Sequence, residues 1–131
     1  MSNPRLIEFQ QIGEPSIGFI SVAEKSINLP FEIKRTYWVY ATPENIERGN
    51  HANRKGSQVF ISMVGEINIF LENKKGIKYH YTLSNPNQGL YIPAMHWRRV
   101  QMGPEVVCLI LCSSVYEESD YIRDYKEFLS S

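Results

Sequence analysis

No apolar run in this chain of 131 residues comes near the roughly 20 residues needed to cross a bilayer, which argues against a membrane protein. The first residues, MSNPRLIEF, lack the basic-then-apolar order of a signal peptide. Charge of one sign is not in excess, because 14 Lys plus Arg balance 14 Asp plus Glu. No global field therefore recruits nucleic acid or a lipid surface, and any anion site has to be a local arginine cluster. Cysteine is scarce, with Cys108 and Cys112 alone in the stretch VVCLILCS. On a strand their Cα atoms would lie about 13 Å apart at ~3.3 Å per residue, too far for a bridge. The expectation is two buried, reduced thiols in a cytoplasmic protein. Internal repeats, linkers and low-complexity segments are also missing, which leaves one domain over residues 1–131.

What is present is the composition of an ordinary globule, 43% hydrophobic and 21% charged. Short strand signals recur between turn signals. Leu6 to Phe9 and Gly18 to Ala23 read as strands flanking the turn-prone GEPS. Ile33 to Tyr40 alternates, with Ile33, Arg35, Tyr37 and Val39 on one face and Lys34, Thr36, Trp38 and Tyr40 on the other. Val59 to Val64 and Ile67 to Leu71 form a hairpin pattern around Gly65-Glu66. Ile77 to Leu83, Leu90 to Ile92, Trp97 to Met102 and Glu105 to Cys112 complete the series. From Val115 onward, tyrosines among many charges predict a short helical or extended tail packed outside the strands. Many short strands with little helix indicate an all-β sandwich or barrel, and a cupin-like jelly-roll β-barrel fits best.

The stretch Arg48 to Gly65, RGNHANRKGSQVFISMVG, is the most informative. A metal-binding cupin has at its barrel mouth a Gly, then His-x-His, an acid a few residues on, and a Gly turn. Here the first His is His51, the second is replaced by Asn53, and the acid by Gln58. Amides are poor ligands for transition metals. The pattern therefore keeps the scaffold and loses the metal site, leaving one imidazole, two amides and nearby arginines. That set suits metal-free chemistry on an anionic substrate.

Four segments then carry a likeness to one family: LPFEIKRTYWVY (29–40), RGNHANRK (48–55) with Gln58-Val59, GLYIPAMHW (89–97) and SDYIRDYKEF (119–128). Together they resemble the nucleotide-sugar 3,4-ketoisomerases, the WxcM-like dTDP-4-keto-6-deoxyglucose ketoisomerase group. The resemblance implies a cupin-like barrel, a homodimer, no metal or other cofactor, and a thymidine diphosphate 4-keto-6-deoxy sugar as substrate. It also implies a place in deoxyamino-sugar synthesis for surface polysaccharide such as a lipopolysaccharide O-antigen. By the same resemblance His51 is the catalytic base and Tyr37 the family tyrosine. Two positions depart from the family. Asn53 stands where the second His is expected, and His96-Trp97 stands where the family tends to have Trp-His. Strand alternation would turn the imidazole of that pair to the opposite face.

Moving a ketone from C4 to C3 is an enediol isomerisation. It needs a base with a pKa near neutrality, which imidazole has unperturbed. It needs a fixed donor for the developing oxyanion, and cations that fork onto the diphosphate, a task favouring arginine. His51, Tyr37 and Asn53 are the catalytic candidates. Arg35, Arg48, Gln58, Trp97 and Arg98 are the substrate-binding candidates, Arg98 because only one of the neighbours Arg98 and Arg99 can face inward. Either Trp97 or Trp38 would supply a platform for thymine. Asn53 cannot titrate, so water or sugar hydroxyls would relay the second proton. The alternative is a cupin that binds the nucleotide sugar without turning it over.

Overall fold

The computed structural model describes residues 2–131. Its strands are β1 (Arg5–Glu8), β2 (Ile12–Glu14), β3 (Gly18–Ile20), β4 (Arg35–Tyr40), β5 (Glu47–Asn53) and β6 (Gln58–Val64). They continue as β7 (Ile67–Asn73), β8 (Lys78–Leu83), β9 (Gln88–Ile92), β10 (His96–Gln101), β11 (Val107–Cys112) and β12 (Tyr121–Ile122). A 3-10 turn over Glu118–Asp120 precedes β12, and the helix α1 (Tyr125–Ser130) follows it. Two five-stranded antiparallel sheets, β1-β9-β6-β11-β4 and β12-β5-β10-β7-β8, face each other as a cupin-like jelly roll. Strands β2 and β3 form a separate hairpin.

The main core fills the space between the sheets. Phe60, Ile69, Leu71, Leu90, Ile92, Val100 and Ile110 meet there, supplied by alternate positions of facing strands. Strand β6 is buried on both faces over Gln58–Ser62, because its outer side is covered too. Val59 and Ile61 pack against Ile7, Phe9, Leu29 and Leu111, and Ala23 and Phe31 close over this second cluster. The other sheet is sealed outside by the tail. Ala52 and Trp97 pack on Ile122 and Phe128, and Phe128 is fully buried. Asp124 caps α1 by accepting from the Lys126 N–H.

The strand expectations hold, with ends shifted by a few residues. From Arg35 onward the alternation in β4 is as read, with Arg35, Tyr37 and Val39 half-buried and Trp38 and Tyr40 exposed. Ile33, expected on the inner face, lies before the strand and is exposed. The hairpin turns at Gly65, whose φ is 86°. The segment around GEPS differs from expectation. Ile12–Glu14 is itself a strand, paired with β3 around that turn, and β3 stops at Ile20. Pairing between these neighbours outweighs the weak local signal of IGE. The tail is both extended and helical, joining the sheet through β12 before α1 begins.

Candidate active site

Backbone geometry in β5 aims the site. Gly49 and Asn50 have φ of 88° and 55°, and the register with β10 shifts there, from Arg98 opposite His51 to Arg99 opposite Gly49. This bulge is why Arg-Gly-Asn precedes the histidine: glycine and asparagine are the residues that accept such φ at least cost. A Cβ at position 49 would sit 2.9 Å from the Arg98 carbonyl oxygen. The kink sets His51 on the inner face, directly across the ladder from Arg98.

The imidazole has one defined tautomer by its contacts. Nδ1 lies 3.2 Å from the Gly49 carbonyl oxygen, so Nδ1 carries the proton and donates. Nε2 is then the unprotonated nitrogen, and it is buried without a protein partner. Burial first, and the Arg98 charge second, push the His51 pKa down to about 3. The ring is therefore neutral at pH 7. Without a ligand it is a weaker base than the near-neutral imidazole expected from the sequence, because burial and the Arg98 charge both disfavour its protonated form. Tyr121 from the tail packs beside it, with ring centroids 5.0 Å apart.

Arg98 is completely buried and no carboxylate accepts from it. Its Nη1 donates to Gln58 Oε1 and its Nη2 to the His96 carbonyl at 3.2 Å, while Nε is unpaired. Burial pulls its pKa down to about 10, which still leaves it cationic at neutral pH. Gln58 Nε2 donates to the Tyr37 hydroxyl at 3.3 Å. Burial raises the Tyr37 pKa to about 12, so the hydroxyl keeps its proton and can give it to a ligand.

These groups converge on a cavity of about 320 Å³ between the sheets. His51, Tyr37, Arg48 and Arg98 line it, over an apolar floor that includes Val39, Phe60 and Ile110. The other expected residues are not brought to this cavity. Arg35, Asn53 and Gln58 border a separate notch of about 10 Å³ behind it. Arg35 stacks 4.5 Å above the Tyr37 ring and donates to the Tyr121 hydroxyl at 3.3 Å. Asn53 Nδ2 donates to Asp120 Oδ2 at 3.1 Å, leaving Oδ1 buried and unpaired. Trp97 faces the other side of β10, packed against Tyr125 and Phe128. Trp38 is exposed on the outer face of β4. Strand alternation explains Trp97: with Arg98 inward, its neighbour must point out. It also turns His96 inward, where it is buried.

Two charged cavity residues, Glu47 and Arg123, escaped the sequence reading. Arg123 reaches the cavity from the tail, 4.6 Å over the Tyr121 ring and paired with Glu118 at 2.8 Å. The run SDYIRDYKEF was the available signal, since a barrel alone does not require it. Asp120 clasps this strap to the β5–β6 turn by accepting from Asn53 and from the N–H groups of Lys55 and Gly56. Among the described residues, no three His, Cys, Asp or Glu side chains gather to hold a metal ion. No helix among them is long and apolar enough to cross a membrane.

The family model described as FdtA, WxcM-like, C-terminal, matches residues 2–131. The chain belongs to this family. It is 34% identical over 125 residues to the TDP-4-oxo-6-deoxy-alpha-D-glucose-3,4-oxoisomerase of Aneurinibacillus thermoaerophilus, covering 95% of this chain and 88% of that one. Its fold superposes with a TM-score of 0.92 on QdtA, a sugar 3,4-ketoisomerase from Thermoanaerobacterium thermosaccharolyticum solved in complex with TDP. That match is 34% identical and covers 98% of this chain and 93% of the other. WlaRB, a TDP-quinovose 3,4-ketoisomerase from Campylobacter jejuni, is 33% identical with a TM-score of 0.91, over the full length of both chains. The resemblance drawn from motifs is thus a whole-chain relationship.

Proposed function

We propose that this chain is a 3,4-ketoisomerase of a thymidine diphosphate 4-keto-6-deoxyhexose, working through an enediol with His51 as base. The observation that carries the reading is the free Nε2 of His51, held in one tautomer by Gly49 and lodged in a cavity beside an unneutralised guanidinium. Nε2 takes the proton from C3, and the electron pair passes toward the C4 oxygen. Tyr37 donates to that oxygen and Arg98 offsets its charge. The same proton returns to C4 from the imidazolium, while the O3 hydroxyl proton moves to O4. Net, one hydrogen shifts from C3 to C4 and one from O3 to O4. Asn53 does not titrate and stands behind the cavity, so the oxygen-to-oxygen transfer uses the sugar hydroxyls or water. Arg48 and Arg123 at the cavity rim serve the diphosphate.

Relatives that act on TDP sugars along the whole chain support the substrate class. We also propose a homodimer. The hairpin β2–β3 belongs to neither main sheet and exposes Ile12, Ile17, Phe19 and Ile20, an apolar arm suited to a second copy. Light scattering at micromolar concentration reports the mass.

The deciding experiment is a proton NMR time course with TDP-4-keto-6-deoxyglucose. The 3-keto product should accumulate in the presence of the protein and not with heat-inactivated protein. TDP-sugar binding by calorimetry with no product would assign the chain the binding role instead. No turnover of any 4-keto nucleotide sugar overturns the isomerase reading.

A further inference from the structure

The anomaly that chemistry has to explain is a fully buried guanidinium without a counter-ion. A charge removed from water is normally paired, since desolvation is otherwise uncompensated. Arg98 instead meets two neutral oxygens, the side-chain amide of Gln58 and the backbone carbonyl of His96. The carboxylate of Asp120 is occupied by Asn53, Lys55 and Gly56, and it makes no bond to Arg98. Gln58 does not line the large cavity; it stands behind Arg98 and Tyr37 at 3% exposure. Its amide is oriented from both ends. Oε1 accepts from the cation, while Nε2 donates to the Tyr37 hydroxyl at 3.3 Å and to Cys112 Sγ at 3.5 Å. Turned over, the amide would set its own N–H groups against the guanidinium.

We infer that Gln58 is a positioning residue that holds Arg98 and Tyr37 in place while leaving the Arg98 charge unneutralised for the anion formed in the reaction. A glutamate of nearly the same shape would hold Arg98 as well or better, but would pair its charge permanently. The neutrality of the amide is therefore the functional property, and hydrogen bonding alone is not. The idea rests on the isomerase reading for the identity of the anion, an enediolate; the arrangement of charge stands without it.

The groups that face His51 are Arg98 from β10, Tyr37 from β4, Glu47 and Arg48 from its own strand, and Tyr121, Glu118 and Arg123 from the tail. Gln58→Glu adds one negative charge behind this set. Three readouts follow. The melting temperature of Gln58→Glu should match or exceed that of the wild type. Its kcat should fall about 100-fold or more, the scale of losing one oxyanion donor. The His51 imidazole, followed by NMR, should titrate at higher pH than in the wild type, because the repulsion from Arg98 is cancelled. Gln58→Met keeps the volume and the neutrality but drops all three hydrogen bonds; it should lose kcat while His51 titrates as in the wild type. Wild-type kcat in Gln58→Glu, or an unmoved His51 titration, overturns the inference, as does full kcat in Gln58→Met. The titration needs no turnover, so a chain that isomerises nothing would sink the isomerase reading while the imidazole still decides this one.

Discussion

Arg98 and His51 occupy paired positions across the β10–β5 ladder, both on the inner face and both in the wall of one cavity. Directly opposed residues have Cβ atoms about 4.5–5.5 Å apart, so each sets the other's electrostatics. Replacing Arg98 by Met should leave the fold as stable or more stable, since a desolvated cation is removed. The His51 pKa should rise part-way toward its ordinary value, with burial still holding it down. Turnover should drop by about 100- to 1,000-fold, corresponding to ~3–4 kcal/mol of lost transition-state stabilisation. Thermal melting, an imidazole NMR titration and kcat check the three effects separately.

His51→Asn removes the proposed base and little else from the cavity. Turnover should fall by a factor of about 100 to 10,000, the usual contribution of a placed general base. TDP affinity by calorimetry should stay near that of the wild type, because the rim arginines are untouched.

Activity should have no acid limb near pH 6.5. His51 as the proposed base must be neutral to work, and burial and the Arg98 charge push its pKa down to about 3, so protonation should remove activity only well below pH 5. Stability follows the same sign. His51 and His96 both have lowered pKa values in the folded state, so the unfolded chain binds more protons as pH falls. Both contributions are complete above the unfolded value near 6.5 and are lost as pH falls, that of His51 progressively toward about 3. Chemical unfolding between pH 7 and 4 should show this loss, and His51→Asn should flatten it.

Gly49→Ala tests the bulge. A Cβ there meets the Arg98 carbonyl oxygen at 2.9 Å on backbone with φ of 88°. The left-handed conformation alone costs about 1–2 kcal/mol for an L-residue. Denaturant unfolding should show at least that loss, and kcat should fall because His51 is no longer aimed across from Arg98.

Asp120→Ala releases the tail from the β5–β6 turn. Three hydrogen bonds to a carboxylate are lost. Bonds to charged groups contribute about 1.5–3 kcal/mol each in net terms, and overlapping losses make the sum smaller than additive. The expected result is a lower melting temperature and a higher KM, because Tyr121 flanks His51 and Arg123 lines the cavity.

Much of the fold was legible in the chain. Period-two alternation in β4 told the inner face from the outer, and the continuous apolar run of β11 announced a buried strand. Local pattern also marked His51, as the first histidine position of a cupin-like motif following a glycine. It did not disclose β2, because three residues carry too little periodicity to outweigh a turn signal. It sent Trp97 to the site on chemical grounds, whereas the register of β10 turns that ring outward against Phe128.

The order of residues on its own thus determined which faces of which strands are apolar, and hence a jelly roll with histidine, tyrosine and arginines on inner positions. Only the tertiary pairing decided which of those groups share a cavity. Arg98 meets His51 because of a single register shift, Asn53 and Arg35 fall behind the cavity, and Arg123 enters it from a segment more than 70 residues downstream of that histidine. Alternation along one strand is a local property of the backbone. The offset between two strands is set by the summed packing of everything around them.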